Sequence, residues 1–191
     1  MFDYEKFSDS FGDIPEEAII KIKEISEFKT YKSNFQIDEF GKMPSKVYLL
    51  TSGVMRCYIT SETGKEFNKS FFFPMSFAGS LTALITNKPS KIVYETITAC
   101  SVYEIDYNKL NALCEKDILI SNLYRGILEK VFVHYEKRQL ELISLNASQR
   151  YQRLKDDIPD IDKVVPQYHI ASYLSITPVQ LSRIRKKIKE S

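Results

Sequence analysis

From Asp106 to Ala147 the chain has no proline and a single glycine, Gly126. Nothing over that length removes a backbone donor or breaks the helical ladder, so one long helix is allowed. Leu128, Val131, Tyr135, Arg138, Leu142 and Leu145 recur at alternating three- and four-residue spacing, and Ile120, Leu123, Tyr124 and Ile127 widen the same face upstream. A helix of roughly 25 to 30 residues is about 40 Å long, more than a domain of this size usually covers. The spacing therefore predicts that Ile120, Leu123, Tyr124, Ile127, Leu128, Val131, Tyr135 and Leu142 pair with a second copy of the chain as a homodimer.

The pattern differs on either side of this segment. Upstream, Ile19, Ile22, Ile25 and Phe28 follow Pro15 at near-helical intervals and predict a short amphipathic helix over 15–28. Between Thr30 and Asp106 the chain turns to short runs of Tyr, Phe, Val, Ile and Thr, punctuated by Gly41, Pro44, Gly53, Gly64, Pro74, Gly79 and Pro89. Such runs read as an antiparallel sandwich or barrel, with turns at Thr51-Ser52-Gly53 and Ser61-Glu62-Thr63-Gly64-Lys65. Downstream, Asn146-Ala147-Ser148 looks like a hinge with an N-cap, and Pro159 ends the helix that follows.

Several classes of chain fall away on composition. At 191 residues, 43% apolar and 27% charged, the chain can bury a core and is neither disordered nor fibrous. The opening Met1-Phe2-Asp3-Tyr4-Glu5 lacks the basic and apolar regions of a signal peptide. The most hydrophobic stretch, from Phe71 to Ile85, is interrupted by Pro74, Ser76, Gly79 and Ser80. No membrane partner is expected, and the expected location is cytoplasmic. Cys57, Cys100 and Cys114 are too scattered for a disulfide framework, and two histidines, His134 and His169, are too few for a clustered metal site. No metal is expected. An enzyme on a metal-dependent jelly roll is excluded in the same way, since the β region contains no histidine.

Charge is uneven. Residues 147–191 hold nine basic and five acidic residues, a net +4, while residues 1–146 hold 18 and 20, a net −2. Arg183, Arg185, Lys186, Lys187 and Lys189 cluster near the end, on a segment that opens Thr177-Pro178-Val179-Gln180. That opening supplies an N-cap, proline at the first helical position and a glutamine able to close a capping box. With Leu181, Ile184 and Ile188 turned inward and a short helix beginning at Pro166 before it, the pair has the form of a helix-turn-helix. Thr177, Pro178, Val179, Gln180, Ser182, Arg183 and Lys186 would then face a DNA major groove. Arg183 is the best base reader, because a guanidinium makes two parallel hydrogen bonds to guanine. Arg185, Lys187 and Lys189 are assigned to phosphates, and Gln180 is weighed more as a cap than as a DNA contact.

The stretch Pro166 to Leu174, followed by Ile176-Thr177-Pro178 and Leu181-Ser182-Arg183-Ile184-Arg185-Lys186-Lys187-Ile188, resembles the recognition motif of Crp/Fnr transcription regulators, in particular a short subgroup common in Bacteroidetes. Val47 to Arg56 is similar to the strand-turn-strand signature of that family's cyclic-nucleotide-binding roll. The resemblance implies an α+β protein in three parts. They are an N-terminal antiparallel β-roll or jelly roll (1–115), a long dimerisation helix (116–146) and a C-terminal all-α helix-turn-helix domain (147–191). It implies double-stranded DNA and a second copy as partners, RNA polymerase as a candidate partner, and no enzymatic activity. Ser175 stands at the turn, where such motifs often carry glycine, and Pro178 and Val179 stand where well-known members carry charged base readers.

In the family, a Gly-Glu pair holds a cyclic nucleotide's ribose and an Arg followed by Ser or Thr holds its phosphate. Here the corresponding stretch Gly79-Ser80-Leu81 has serine for the carboxylate, and Ser90 stands in place of the arginine, with Lys91 next to it. Without the bidentate cation a cyclic nucleotide is not expected as cofactor, and another small effector or none is. The iron–sulfur members need cysteines near the N-terminus, where this chain has none before Cys57. The competing reading is a ligand-binding or interaction module whose helical tail contacts protein instead of DNA.

Overall fold

The computed structural model describes residues 15–190, so the reading of residues 1–5 lies outside it, as does the Lys189 side chain. Helix α1 (Glu16–Glu24) leads into eight strands: β1 (Ser26–Tyr31), β2 (Gln36–Asp38), β3 (Lys46–Ser52), β4 (Met55–Thr60), β5 (Glu66–Phe72), β6 (Ser76–Ala78), β7 (Val93–Thr96) and β8 (Cys100–Asp106). The short helix α2 (Leu81–Thr86) sits between β6 and β7. The strands form two antiparallel four-stranded sheets, ordered β1-β8-β3-β6 and β2-β7-β4-β5, the expected jelly roll. Leu50, Met55, Cys57, Tyr94 and Val102 fill the space between them.

One local expectation changes. The first helix ends at Glu24, and Phe28 lies in β1, its ring 5.2 Å from that of Tyr103. The pairing of β1 along β8 outweighs the weak period of an exposed helix end. The turn at Gly53 does not close a hairpin, because β3 and β4 belong to different sheets. Gly53 has φ +88° and a Cβ there would stand 2.3 Å from the Ala99 carbonyl oxygen, so glycine is required for the crossing. The turn at Gly64 does join paired strands, β4 and β5.

Helix α3 (Tyr107–Lys116) follows β8, and Asp117 then separates it from α4 (Ile118–Ser144), 27 residues long. The Asp117 carboxylate accepts from the Leu119 and Ile120 amides and so starts α4. Beyond it come α5 (Ala147–Asp157), α6 (Ile161–Val164), α7 (Gln167–Tyr173) and α8 (Pro178–Glu190). The expected cap at Asn146 is a full capping box with Gln149. Helix α4 does not present the expected face outward. Ile120 is fully buried in the chain's own core, and Leu123, Tyr124, Ile127, Leu128, Val131 and Tyr135 face a cavity beside the roll. Leu142 is 42% exposed. Ile118, Phe132, Val133, Leu140 and Ile143 are also exposed and fall within an arc of about 100°, with Phe132 reaching the rim of the cavity.

The helical C-terminal part is docked on the roll. Val54, Phe71, Phe73 and Ile97 of the strand region share a cluster with Tyr151, Leu154, Ile161, Ile170, Leu174 and Leu181. Helix α7 lies along β5, the outer strand of its sheet. The Ser172 hydroxyl accepts from the Asn68 amide at 2.9 Å and donates to the Glu66 carbonyl at 3.0 Å. It thereby satisfies backbone groups that an edge strand would otherwise leave open. Behind this seam the Arg56 guanidinium, 4% exposed, bonds Glu95 at 2.8 Å, Glu66 at 2.5 Å and the His169 Nδ1 at 3.1 Å. Its face stacks on the Tyr58 ring.

Arg56 and the Asn68 amide both aim donors at His169 Nδ1, so that nitrogen must carry the lone pair. Burial, and then the nearby Arg56 charge, lower the imidazole pKa from 6.5 to about 4. The unfolded chain takes up a proton near 6.5 and the docked form only near 4, so acid favours undocking. Stability in urea should be full above pH 6.5 and fall by up to about 3 kcal/mol as pH drops toward 4. In His169→Gln this part of the slope should disappear. An unchanged slope would mean that His169 is not the titrating group.

Candidate functional site

The C-terminal pair, α7 and α8, meets at a turn in which Ser175 adopts φ 57°. Left-handed backbone at a serine is strained, as its position in the turn suggested. The carbonyls at the end of α7 are taken by side chains: Tyr173 by Arg138, whose guanidinium also lies over the Tyr173 ring, and Leu174 by Arg150 at 3.0 Å. Arg138, which the spacing of α4 placed on a dimer seam, is thus the tie between α4 and the two-helix unit.

Helix α8 begins as its sequence predicts. The Thr177 amide donates to the Gln180 side chain at 2.8 Å, and the Gln180 amide donates to the Thr177 hydroxyl at 3.2 Å. The Gln180 side-chain oxygen is therefore spent on the cap. Leu181 is fully buried and Ile184 half-buried, whereas Ile188 is 41% exposed and does not extend the inner row.

Thr177, Pro178, Val179, Ser182, Arg183, Lys186 and Lys187 are all exposed on α8. They form one cap and one outward surface, with Arg183 on it. Arg185 is not part of that surface. Its guanidinium bonds Asp162 and approaches the Tyr151 ring at 5.7 Å, which locks α8 to α5 and α6. Asp162 also accepts from the Tyr151 hydroxyl at 2.6 Å and pairs with Lys155. The run of basic residues thus contains one structural cation, indistinguishable by residue type from its neighbours.

The second region of interest is the cassette at the end of β6. Gly79 has φ +138° and lies against Lys46 and Val47, and Ser80 precedes α2. The Ser80 and Ser90 hydroxyls are hydrogen-bonded to each other at 2.5 Å, and Ser90 also donates to the Ile92 carbonyl at 2.7 Å. The Ser80 amide, a natural partner for a phosphate oxygen, donates instead to Asp38 at 3.3 Å. Asp38 is buried, also accepts from Tyr48, and has its pKa raised by that burial. Two serines and an internal carboxylate therefore close the anion position that the cassette would offer. Lys91 is exposed.

Beside the cassette, between the roll and α4, is a cavity of about 890 Å³ whose lining includes Gly79, Ser80, Leu81, Ser90 and Lys91. Among the described residues there is no group of three or more His, Cys, Asp or Glu able to hold a metal ion, and no helix is long and apolar enough to cross a membrane.

Residues 29–117 match the family described as the cyclic nucleotide-binding domain. Among solved structures, CLP of Xanthomonas campestris, a c-di-GMP responsive global regulator, superposes with a TM-score of 0.73 at 17% identity, covering 92% of each chain. FixK2 of Bradyrhizobium japonicum gives 0.71 at 18% identity, covering 87% of this chain and 85% of that one. A transcriptional regulator of the Crp/Fnr family from Eubacterium rectale gives 0.72 at 14% identity, covering 96% of this chain and 88% of that one. No curated protein matches the sequence. The Crp/Fnr resemblance read from the sequence is borne out by the domain match and by the fold.

Replacing the strained turn residue by Ser175→Gly should raise the unfolding free energy by up to about 1 kcal/mol. A higher melting temperature in a thermal scan would show it. A lower one would mean that the Ser175 side chain contributes more than its backbone strain costs.

Proposed function

We propose that this chain, with its cyclic nucleotide-binding domain and Crp/Fnr fold, is a sequence-specific DNA-binding transcription regulator that acts as a homodimer on a palindromic site. The observation that carries the proposal is α8. It is a capped helix, anchored through Leu181 and Arg185, whose other side exposes Ser182, Arg183, Lys186 and Lys187. A helix of this kind fits the major groove with its N-terminal residues toward base edges. Arg183 reads guanine, and Thr177, Lys186 and Lys187 contact phosphates. Pro178 and Val179 add apolar contact near the helix start, and Gln180 and Arg185 hold the helix in place.

Dimerisation uses α4, through its exposed apolar residues Phe132, Val133, Leu140, Leu142 and Ile143. A second copy related by a two-fold axis would bring the two α8 helices about one DNA turn apart, roughly 34 Å. The three parts, 1–115, 116–146 and 147–191, then act as sensor, dimer helix and DNA reader in the cytoplasm. RNA polymerase is the further partner through which such a regulator would act.

Selection from random duplexes should enrich an inverted repeat. Arg183→Ala should relax preference at one base pair per half-site, at a cost of about 1–3 kcal/mol. Lys187→Ala should weaken all sequences alike and flatten the salt dependence. Retained preference in Arg183→Ala would remove the base-reading role. Leu140→Glu with Ile143→Glu should convert the dimer to monomer in light scattering and lower affinity for the full repeat more than for a half-site. A stable dimer in that variant would place the interface elsewhere.

A further inference from the structure

A second cavity, of about 280 Å³, is walled by β1, β2, β3, β8, the loop 39–45 and Ser90, with no residue of α4 in its lining. Two backbone bonds pin the loop. The Gly41 amide donates to the Ser90 carbonyl and the Ser90 amide to the Lys42 carbonyl, each at 2.8 Å, so the wall is already formed. The ionisable lining is balanced, with Asp38, Glu39 and Glu104 against Lys29, Lys42 and Lys46. A ligand of a single sign would meet as much repulsion as attraction there.

The charges are nevertheless sorted, because the two sheets of the roll contribute different signs. On the β1-β8-β3 side, the buried Glu104 accepts from the Tyr31 hydroxyl with one oxygen and from Lys46 with the other. Lys29 stands 3.5 Å from that second oxygen, and its other partner is the exposed Glu27 at 3.3 Å. Burial works against the charge of Glu104, but Lys46 and Tyr31 outweigh it and hold the pKa below its ordinary value. One buried carboxylate, with both oxygens spent, thus gathers two ammonium groups. A positive pole results.

The negative pole is Asp38, on β2 of the opposite sheet. It is buried and accepts only from neutral donors, the Tyr48 hydroxyl at 3.0 Å on one oxygen and the Ser80 amide at 3.3 Å on the other. Among the described residues no lysine or arginine forms an ion pair with it. Each carboxylate oxygen accepts from two directions, so both retain an open position. A buried carboxylate with no cation, beside a polar cavity, favours an ammonium group that brings its own charge.

We infer that this cavity binds a small amino acid as its zwitterion, with the ammonium group on Asp38 and the carboxylate on Lys29 and Lys46. The inference does not depend on whether α8 reads DNA.

The test is titration calorimetry on the full chain with each of the twenty common amino acids at up to about 10 mM, a range that reaches millimolar affinity. At least one should bind at one per chain. Its methyl ester, which lacks the carboxylate charge, and its N-acetyl derivative, which lacks the ammonium charge, should each bind about tenfold more weakly or less. Asp38→Asn should weaken the amino acid by about the same factor and leave the N-acetyl derivative unchanged. Lys29→Met, which leaves Lys46 to pair with Glu104, should weaken the amino acid and leave the methyl ester unchanged; it keeps the test open should Asp38→Asn fail to fold by circular dichroism. No binding by any amino acid, derivatives that bind as tightly as the parent, or binding that Lys29→Met and a folded Asp38→Asn both leave intact would each overturn the inference.

Discussion

A buried guanidinium holds the two halves of this molecule in register. Arg56 is nearly inaccessible, and a cation in that position is tolerated only because Glu95, Glu66, Asn68 and the Tyr58 ring surround it. His169 completes the shell from the other half, and does so only as a neutral base. Around this contact Ser172 closes the outer edge of β5, and Phe71 meets the Tyr173 ring at 5.1 Å. The placement of the basic helix follows from the seam, because α8 packs on α7 through Leu181 and α7 lies along β5.

Helix α4 is the second organising element, and it has two apolar faces. One closes the roll and borders the cavity, and the opposite strip remains uncovered. Periodicity alone marks the first face strongly, since its residues recur from Ile120 to Leu142 with Arg138 as a charged member. It cannot say whether an apolar stripe meets the chain's own strands or another copy, because either surface removes the same area from water. The weaker strip, split by Glu136 and by charged neighbours, carries little sequence signal. Only the position of the roll shows that it is the one left over.

The basic run of α8 shows the same division. Arg183, Arg185, Lys186 and Lys187 are equivalent as charge, yet Arg183, Lys186 and Lys187 are exposed and Arg185 is half-buried. Arg185 points to Asp162, a residue from another helix that no local spacing connects with it. The cap formed by Thr177 and Gln180 was readable because its partners stand three residues apart. Ile188, at the right interval for the inner row, is nevertheless exposed.

The amino-acid order by itself determined the elements and their caps: a β-rich segment, a proline-free long helix, a capped basic helix and a turn that strains a serine. These depend on residues within a turn or two of one another, where propensity and spacing act directly. The fold decided which face of α4 is covered, which arginine is structural, and that Arg56 and His169, 113 residues apart, share one hydrogen bond. Such contacts are set by how surfaces meet once the sheets have formed, and burial is a property of that meeting and not of any single segment.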